Sequence, residues 1–590
     1  MRSLDHRFLR RLALIAMAIS LVMAACSSDD PADTTTTAAP TTSAAGSDTT
    51  AGGSDTTAPT TPPTTAPSGG DVKNAGLYVH AADDEPLSLD PAGVAAGEAG
   101  ETVILQVYDR LVEIGPGGPD LVPGLSTEVP TADNGLISAD GLTYTFPIRD
   151  GATFHDGSAV TADVVKFSWD RVLTMDLPEG NASVISDLVD STAVDGSNFI
   201  VTLKERNAAF LNSVVTAAVA SIVSQEAVEA NGGVVAGQPN EFFTGNAVGS
   251  GPYKLTAWNR GETLELEVND DYWGEPAKLD VRIQQVPDSD VRVLGLRAGD
   301  FDSIETDPTF IADLEGADGV EIFQEGWLLE PVHVGLNLDI QEDVLPDTDT
   351  VPADFFHDPR VRRAFNFAFS YDNFSAALQG LGGPIPHYLP QGMLGYDESL
   401  PRFETDLALA EQLFREAGWW DTGFRATVLV EEGGIFETAG LVLKDSIEAL
   451  NPAFQIDVLA VVEVQFDDAH GTTPFEYPMW IKNADPFADP AALFAAYVHP
   501  DGEWGAVHKF RNGYQDADRI AQLIDEAAVS IDTAQRVANY QEVARILYED
   551  PMWIIPGNER ALMAHRSWVQ NFQMNPLWPR PSLKFALFDK

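Results

Sequence analysis

Apolar and polar positions divide the chain into three unequal stretches. Leu12 to Ala25 is an apolar run of 14 residues broken only by Ser20, shorter than the roughly 18–20 residues that span a bilayer. Ser27 to Gly70 contains no Leu, Ile, Val, Phe, Tyr or Trp. A segment of that kind cannot bury enough apolar surface to offset chain entropy and is predicted to be disordered. From Asp71 onward apolar residues recur with the periods of strands and helices. Leu142, Tyr144, Phe146 and Ile148 alternate as on a half-buried strand. Pro147 cannot donate to a ladder, which places that strand at a sheet edge. Asp150-Gly151 and Asp156-Gly157 are turn signals. Thr161 then reads as a helix N-cap, with Asp163 at the helix's positive end and Val164, Val165, Phe167, Trp169 and Val172 packing along it. Asp358 and Pro359 open a second helix, whose Val361, Ala364, Phe365 and Ala368 share one face. Further capped helices are predicted from Asp406, ending at the Gly418 stop, and from Asp532, with Gln535 completing a capping box.

The first stretch carries a basic head, Arg2, Arg7, Arg10 and Arg11, ahead of its apolar run. Together these describe a secretory signal peptide over residues 1–25. Met23-Ala24-Ala25-Cys26 resembles the bacterial lipobox, in which cleavage precedes the cysteine and its sulfur is lipidated. Cys26 is the only cysteine in 590 residues, so the body is predicted to have neither disulfides nor thiol catalysis. Residues 26–70 then read as a tether that holds a folded body off a membrane, anchored by the lipid at Cys26. The 520 residues from Asp71 are too many for one core and predict two or more lobes.

Formal charge is −55, from 90 acids against 35 bases. Such a chain repels nucleic acid. Because the acids are spread along the whole sequence, they read as a solvated acidic shell rather than as the mark of a ligand. The ten histidines are widely spaced, with no H-E-x-x-H and no paired metal-ligand spacing. There is no G-x-S-x-G elbow, Walker loop or dinucleotide fingerprint. Neither a cofactor nor a metal is expected. A secreted hydrolase stays open as an alternative only because Ser/His/Asp sets assemble in space rather than in sequence.

The segment Ser138–Leu173, SADGLTYTFPIRDGATFHDGSAVTADVVKFSWDRVL, resembles the peptide/nickel class of bacterial extracellular solute-binding proteins, family 5. Further stretches match in family order: Glu85–Ala92, Val107–Glu113, Leu121–Val129, NAVGSGPYKLTAW at Asn246–Trp258, NDDYW at Asn269–Trp273, Leu294–Asp302, GLNL at Gly335–Leu338 and DPRVRRAFNFAF at Asp358–Phe369. The resemblance implies an α/β, periplasmic-binding-protein-like two-lobe fold of type II with a hinge. It places lobe I at 71–329, including an inserted subdomain at about 116–243, lobe II at 330–545, and a C-terminal return to lobe I at 546–590. It further implies a monomeric, extracytoplasmic receptor of an ABC importer that captures oligopeptides or similar polar solutes in the cleft. The partners would be permease subunits with their ATPases, and there would be no catalytic residues. A receptor that presents ligand to a sensor is a further alternative.

Peptide-binding relatives set an aspartate, in a W-x-x-D-Y-x-[DE]-P run, against the ligand's amino group. Here the run is MWIKNADPFADP, Met479–Pro490. Counting from Trp480 puts Asn483 at that position; counting by the later Asp-Pro puts Asp485 there. A neutral amide would lose the charge-assisted bond to an ammonium. Trp504 and Tyr514, in a glycine-containing stretch typical of cleft rims, are candidates to stack on a ligand. The candidate ligand-binding set is therefore Trp480, Asn483, Asp485, Trp504 and Tyr514, with Cys26 for lipid attachment.

Overall fold

A computed structural model describes residues 72–590 apart from 95–98, 178–179, 307–309, 325, 380, 386, 473, 485–486, 561, 576, 582 and 587–588. Cys26 and Asp485 lie outside the described residues. Two mixed sheets organise the chain. The first has seven strands in the order Val320–Phe323, Met563–Arg566, Ser303–Ile304, Leu77–Ala82, Asp280–Gln285, Thr263–Val268 and Tyr253–Asn259. Leu77–Ala82 lies at its centre and runs parallel to both neighbours. Its near-continuous burial follows from helices and loops covering both faces. The second has six strands in the order Gly382–Gly383, Trp553–Glu559, Val332–Leu336, Met479–Asn483, Phe424–Glu431 and Phe454–Val461. All five residues of Val332–Leu336 are buried.

Among the described residues, two stretches carry the chain between these sheets, within 324–331 and 560–562. They run side by side. The Leu328 N–H donates to the Glu559 carbonyl at 2.9 Å, Asn558 Nδ2 donates to the Leu328 carbonyl at 2.8 Å, and the Arg560 guanidinium lies 4.3 Å over the Trp327 ring. A paired crossing of this kind is the geometry of a hinge, where a few residues absorb the rotation of two bodies. The return expected from 546 comes later in the chain. Trp553–Glu559 still pairs with Val332–Leu336 in the second sheet, so the crossing waits until 560–562.

A three-stranded antiparallel sheet, Thr143–Pro147, Asn198–Leu203 and Val189–Asp195, holds a separate core with the helix Ala162–Met175. Pro147 ends the edge strand, and Thr161 caps the helix through its Oγ1, which accepts from Val164 N–H. Trp169 meets Phe199 edge-on at 5.4 Å between ring centres. The helices Pro359–Ala368 and Leu407–Glu416 are capped by Asp358 and Asp406, and Asp532 caps Thr533–Glu549. No helix among the described residues is long and apolar enough to cross a membrane.

Several of the sequence motifs converge on one buried carboxylate. Asp109 is fully buried and accepts from Ser250 Oγ at 2.9 Å, Trp273 Nε1 at 2.8 Å, Tyr272 OH at 3.3 Å and Lys584 Nζ at 2.6 Å. Lys584 also meets Glu113 at 2.8 Å, and Arg110 pairs with Glu113. A Cβ at Gly249 would come within 2.1 Å of the Val107 carbonyl oxygen, so this loop can dock on the Asp109 turn only as glycine. These motifs therefore hold the body together.

Candidate functional site

A cavity of about 620 Å³ opens between the two large sheets. Its side chains stand where strands end. Asp83 follows Leu77–Ala82, Glu305 and Thr306 follow Ser303–Ile304, Glu431 closes Phe424–Glu431 and Glu559 closes Trp553–Glu559. In open α/β folds the carboxyl ends of strands are where ligands are held, because loops there are free of ladder duty. The far wall is Glu431-Glu432-Gly433-Gly434 and the first turn of the helix Gly434–Leu450.

Arg292, on the helix Ser289–Ala298, is buried yet lines the cavity. Its guanidinium donates to the carbonyls of Glu305 (2.9 Å), Val286 (2.7 Å) and Pro287 (3.1 Å) and to Ser289 Oγ (3.0 Å). It thereby pins the loop that carries Glu305.

A buried relay reaches the same carboxylate from behind. Tyr78 OH lies 2.6 Å from Ser303 Oγ, Ser303 Oγ lies 2.7 Å from His80 Nδ1, and His80 Nε2 faces Glu305 Oε1 at 3.6 Å. Ser303 Oγ can accept from Tyr78 OH and donate to His80 Nδ1, which leaves the Nε2 proton facing Glu305 at a distance too long for a hydrogen bond. Asp83 and Asp84 gather beside it, with a carboxylate oxygen of each and of Glu305 within 4.8 Å of one another. Burial, then the hydrogen bond and charge of Glu305, push the Asp83 carboxyl up to about 6. Ser303, His80 and Glu305 are also the residue types of a hydrolase triad, but Ser303 is 0 % exposed and cannot meet a substrate.

The residues expected from sequence fall in different places. Trp480 and Trp504 come together, rings 6.1 Å apart and stacked, in a buried aromatic nest. Trp480 stacks on His508 at 3.6 Å, and His508 Nε2 lies 3.0 Å from His470 Nε2. Burial lowers both histidines, His470 to about 4. Gly335 makes the nest possible, because a Cβ there would lie 2.1 Å from the Trp480 ring. Tyr514 is elsewhere, buried beneath Arg362 with its hydroxyl donating to the Asp550 carbonyl. Trp504 and Tyr514, expected at the rim of the cleft, are both buried. Asn483 ends the strand Met479–Asn483, partly exposed, and its Nδ2 donates to Glu330 Oε2 at 2.7 Å. None of Trp480, Asn483, Trp504 and Tyr514 lines the cavity described above. Its own residues, Asp83, Glu305, Glu431 and Glu559, were not singled out from sequence. Their one signal is an acid at the end of an apolar strand.

Comparison with known proteins bears on what this arrangement is. The family model described as bacterial extracellular solute-binding proteins, family 5 Middle, matches residues 120–505. The di/tripeptide-binding protein 2 of Pseudomonas aeruginosa (strain UCBPP-PA14) is 25% identical over 520 residues, covering 84% of this chain and 92% of that protein. The probable D,D-dipeptide-binding periplasmic protein DdpA of Escherichia coli (strain K12) is 26% identical over 500 residues, covering 84% and 90%. Among solved structures, the chain resembles HbpA2 from Haemophilus parasuis with a TM-score of 0.71 at 23% identity, over 85% of this chain and 98% of that one. It resembles the substrate-binding protein CtaP from Listeria monocytogenes with a TM-score of 0.72 at 19% identity, over 88% and 99%. These likenesses establish the two-lobe α/β fold of periplasmic binding proteins.

Proposed function

Because the chain belongs to the bacterial extracellular solute-binding proteins of family 5, we propose that it captures an oligopeptide, or a polar solute of that size, between its lobes and delivers it to an importer's permease. The observation that carries this reading is a cavity walled by both sheets, which are joined by the paired crossings within 324–331 and 560–562. A ligand that touches both walls binds the closed arrangement better than the open one, so binding shifts the population toward closure. Permease subunits recognise that closed form. The names of the relatives support a peptide: one is a di/tripeptide-binding protein and another a probable D,D-dipeptide-binding protein.

Counting from Trp480, Asn483 stands where peptide-binding relatives set an acid; counting by the later Asp-Pro, Asp485 does. Asp485 and the lipid anchor at Cys26 remain part of the proposal.

The test is a thermal-shift and calorimetric screen of the full chain with short peptides, with mass spectrometry of the peptides afterwards. The expected result is saturable binding that stabilises the fold, by about 2.7 kcal/mol at a hundredfold excess over Kd, with every peptide recovered intact. Cleaved peptide or no saturable binding would contradict it. Cys26→Ser is expected to move the protein from the membrane to the soluble fraction with peptide affinity unchanged. Membrane retention of that variant would overturn the anchor.

A further inference from the structure

The strand Phe454–Val461 stands last in the second sheet, so among the described residues no strand pairs with its outer side. The ladder on its inner side fixes which residues face outward. It runs parallel to Phe424–Glu431 in unbroken register. Phe424 N–H donates to the Ala453 carbonyl and Glu432 N–H to the Val461 carbonyl, so the odd-numbered residues from Ala453 to Val461 turn their backbone groups inward. The N–H and C=O of one residue point to the same side of a strand, and successive residues alternate. Ile456, Val458 and Ala460 therefore turn theirs outward.

Of these three, among the described residues, Ile456 alone finds partners. Its N–H donates to Glu448 Oε1 at 3.2 Å, and its carbonyl accepts from Lys444 Nζ at 2.8 Å. Both side chains come from the helix Gly434–Leu450, one turn apart, and bond each other at 2.5 Å. They close the edge at Ile456 as one unit. Beyond them the edge is bare and apolar. Leu441, one turn before Lys444 on the same helix, is exposed, as are Leu459, Val462 and Val464. A long apolar edge of this kind is a template for strand addition.

We propose that Lys444 and Glu448 guard this edge against a second copy of the chain. An identical strand is the occupant the edge fits. Laid antiparallel about a two-fold axis at Leu459, it would set Val458 opposite Ala460 and Ile456 opposite Val462, with donors meeting acceptors. Charge within the strand does not oppose this, because its one acid, Asp457, is paired with Arg425 at 2.6 Å. The chain's wider excess of 90 acids over 35 bases repels a second copy, but salt screens that repulsion. The guard acts at every salt concentration, since it occupies the Ile456 positions that both copies would have to pair.

The test is sedimentation equilibrium of the full chain and of its double variant Lys444→Ala, Glu448→Ala, both carrying Cys26→Ser so that no lipid drives association. It is run at about 150 mM and about 1 M salt, where the screening length is roughly 8 Å and 3 Å. The parent is expected to stay monomeric at both. The double variant is expected to dimerise at the higher salt at least about tenfold more tightly than the parent. Adding Leu459→Asp, which sets two like charges opposite each other at the axis, should abolish that dimer. Residue-resolved hydrogen exchange of the parent needs no variant to fold: the Ile456 amide should exchange more slowly than those of Val458 and Ala460. A parent that dimerises at high salt as tightly as the double variant would overturn the proposal and leave charge as the barrier. A double variant that stays monomeric, a dimer that survives Leu459→Asp, or equal exchange at the three amides would overturn it as well.

Discussion

Around Asp109 and around Asp83 the chain gathers carboxylates, and the two groups are built in opposite ways. Asp109 and Glu113 sit with two bases, Lys584 and Arg110, and with donors from Ser250, Tyr272 and Trp273. Their charge is internally matched, and all four side chains are buried. Asp83 and Glu305 sit with each other and Asp84, at the edge of a cavity, and burial with mutual repulsion raises the Asp83 carboxyl to about 6. The first group is what a buried ion cluster needs for stability, since an uncompensated charge there is costly. The second gathers carboxylates beside a cavity, where their proximity disfavours the charged form of Asp83. The contrast separates the motif-rich part of the fold from the candidate site.

The largest break in that contrast is expected at Lys584. Lys584→Met leaves Asp109 and Glu113 short of a buried partner and is expected to lower unfolding free energy by about 3–5 kcal/mol, measured by urea denaturation. A loss under about 1 kcal/mol would mean that Arg110 and the neutral donors suffice. Arg292→Met comes next. It removes four hydrogen bonds made by a buried cation and frees the loop carrying Glu305, so about 1.5–3 kcal/mol of stability should go, together with part of any peptide affinity. Stability lost with affinity unchanged would detach Glu305 from binding.

The smallest effect has the opposite sign. Asp83 has a folded-state pKa raised above its ordinary value of 3.8, so its ionised form is disfavoured by folding. Above pH 6 the charge works against stability; as pH falls through about 6 the side chain takes up a proton and the penalty fades. Asp83→Asn is therefore expected to raise the melting temperature at pH 7.5 by roughly 1 °C, with the gain shrinking as pH falls from about 6 toward the ordinary carboxylate value of 3.8. A variant less stable at pH 7.5 than the parent would show that Asp83 is a structural acid like Asp109.

Much of the fold was legible because its signals are local. Thr161, Asp358 with Pro359, and Asp406 cap helices where the pattern placed them, and the Pro147 strand stands at an edge. The hub at Asp109 was legible only as separate motifs, since Tyr272 and Trp273 lie more than 160 residues along the chain and nothing in the sequence shows that they meet. Trp480 and Trp504 looked like cleft aromatics. The missing Cβ of Gly335 gives Trp480 a slot in the core instead, with Trp504 stacked beside it. The cavity acids were hidden for a statistical reason: Asp83, Glu305, Glu431 and Glu559 are four among 90, and only the topology brings their strand ends together. Reading the acidity as an even shell was fair for the surface and missed its concentration between the sheets.

The most direct test of the central claim is mass spectrometry of small molecules released from the full chain after purification from cells that make it. A solute-capturing chain is expected to release one solute class in near-stoichiometric amount and to rebind it with thermal stabilisation. A chain that releases no stoichiometric solute, and that no released fraction stabilises, would contradict the account.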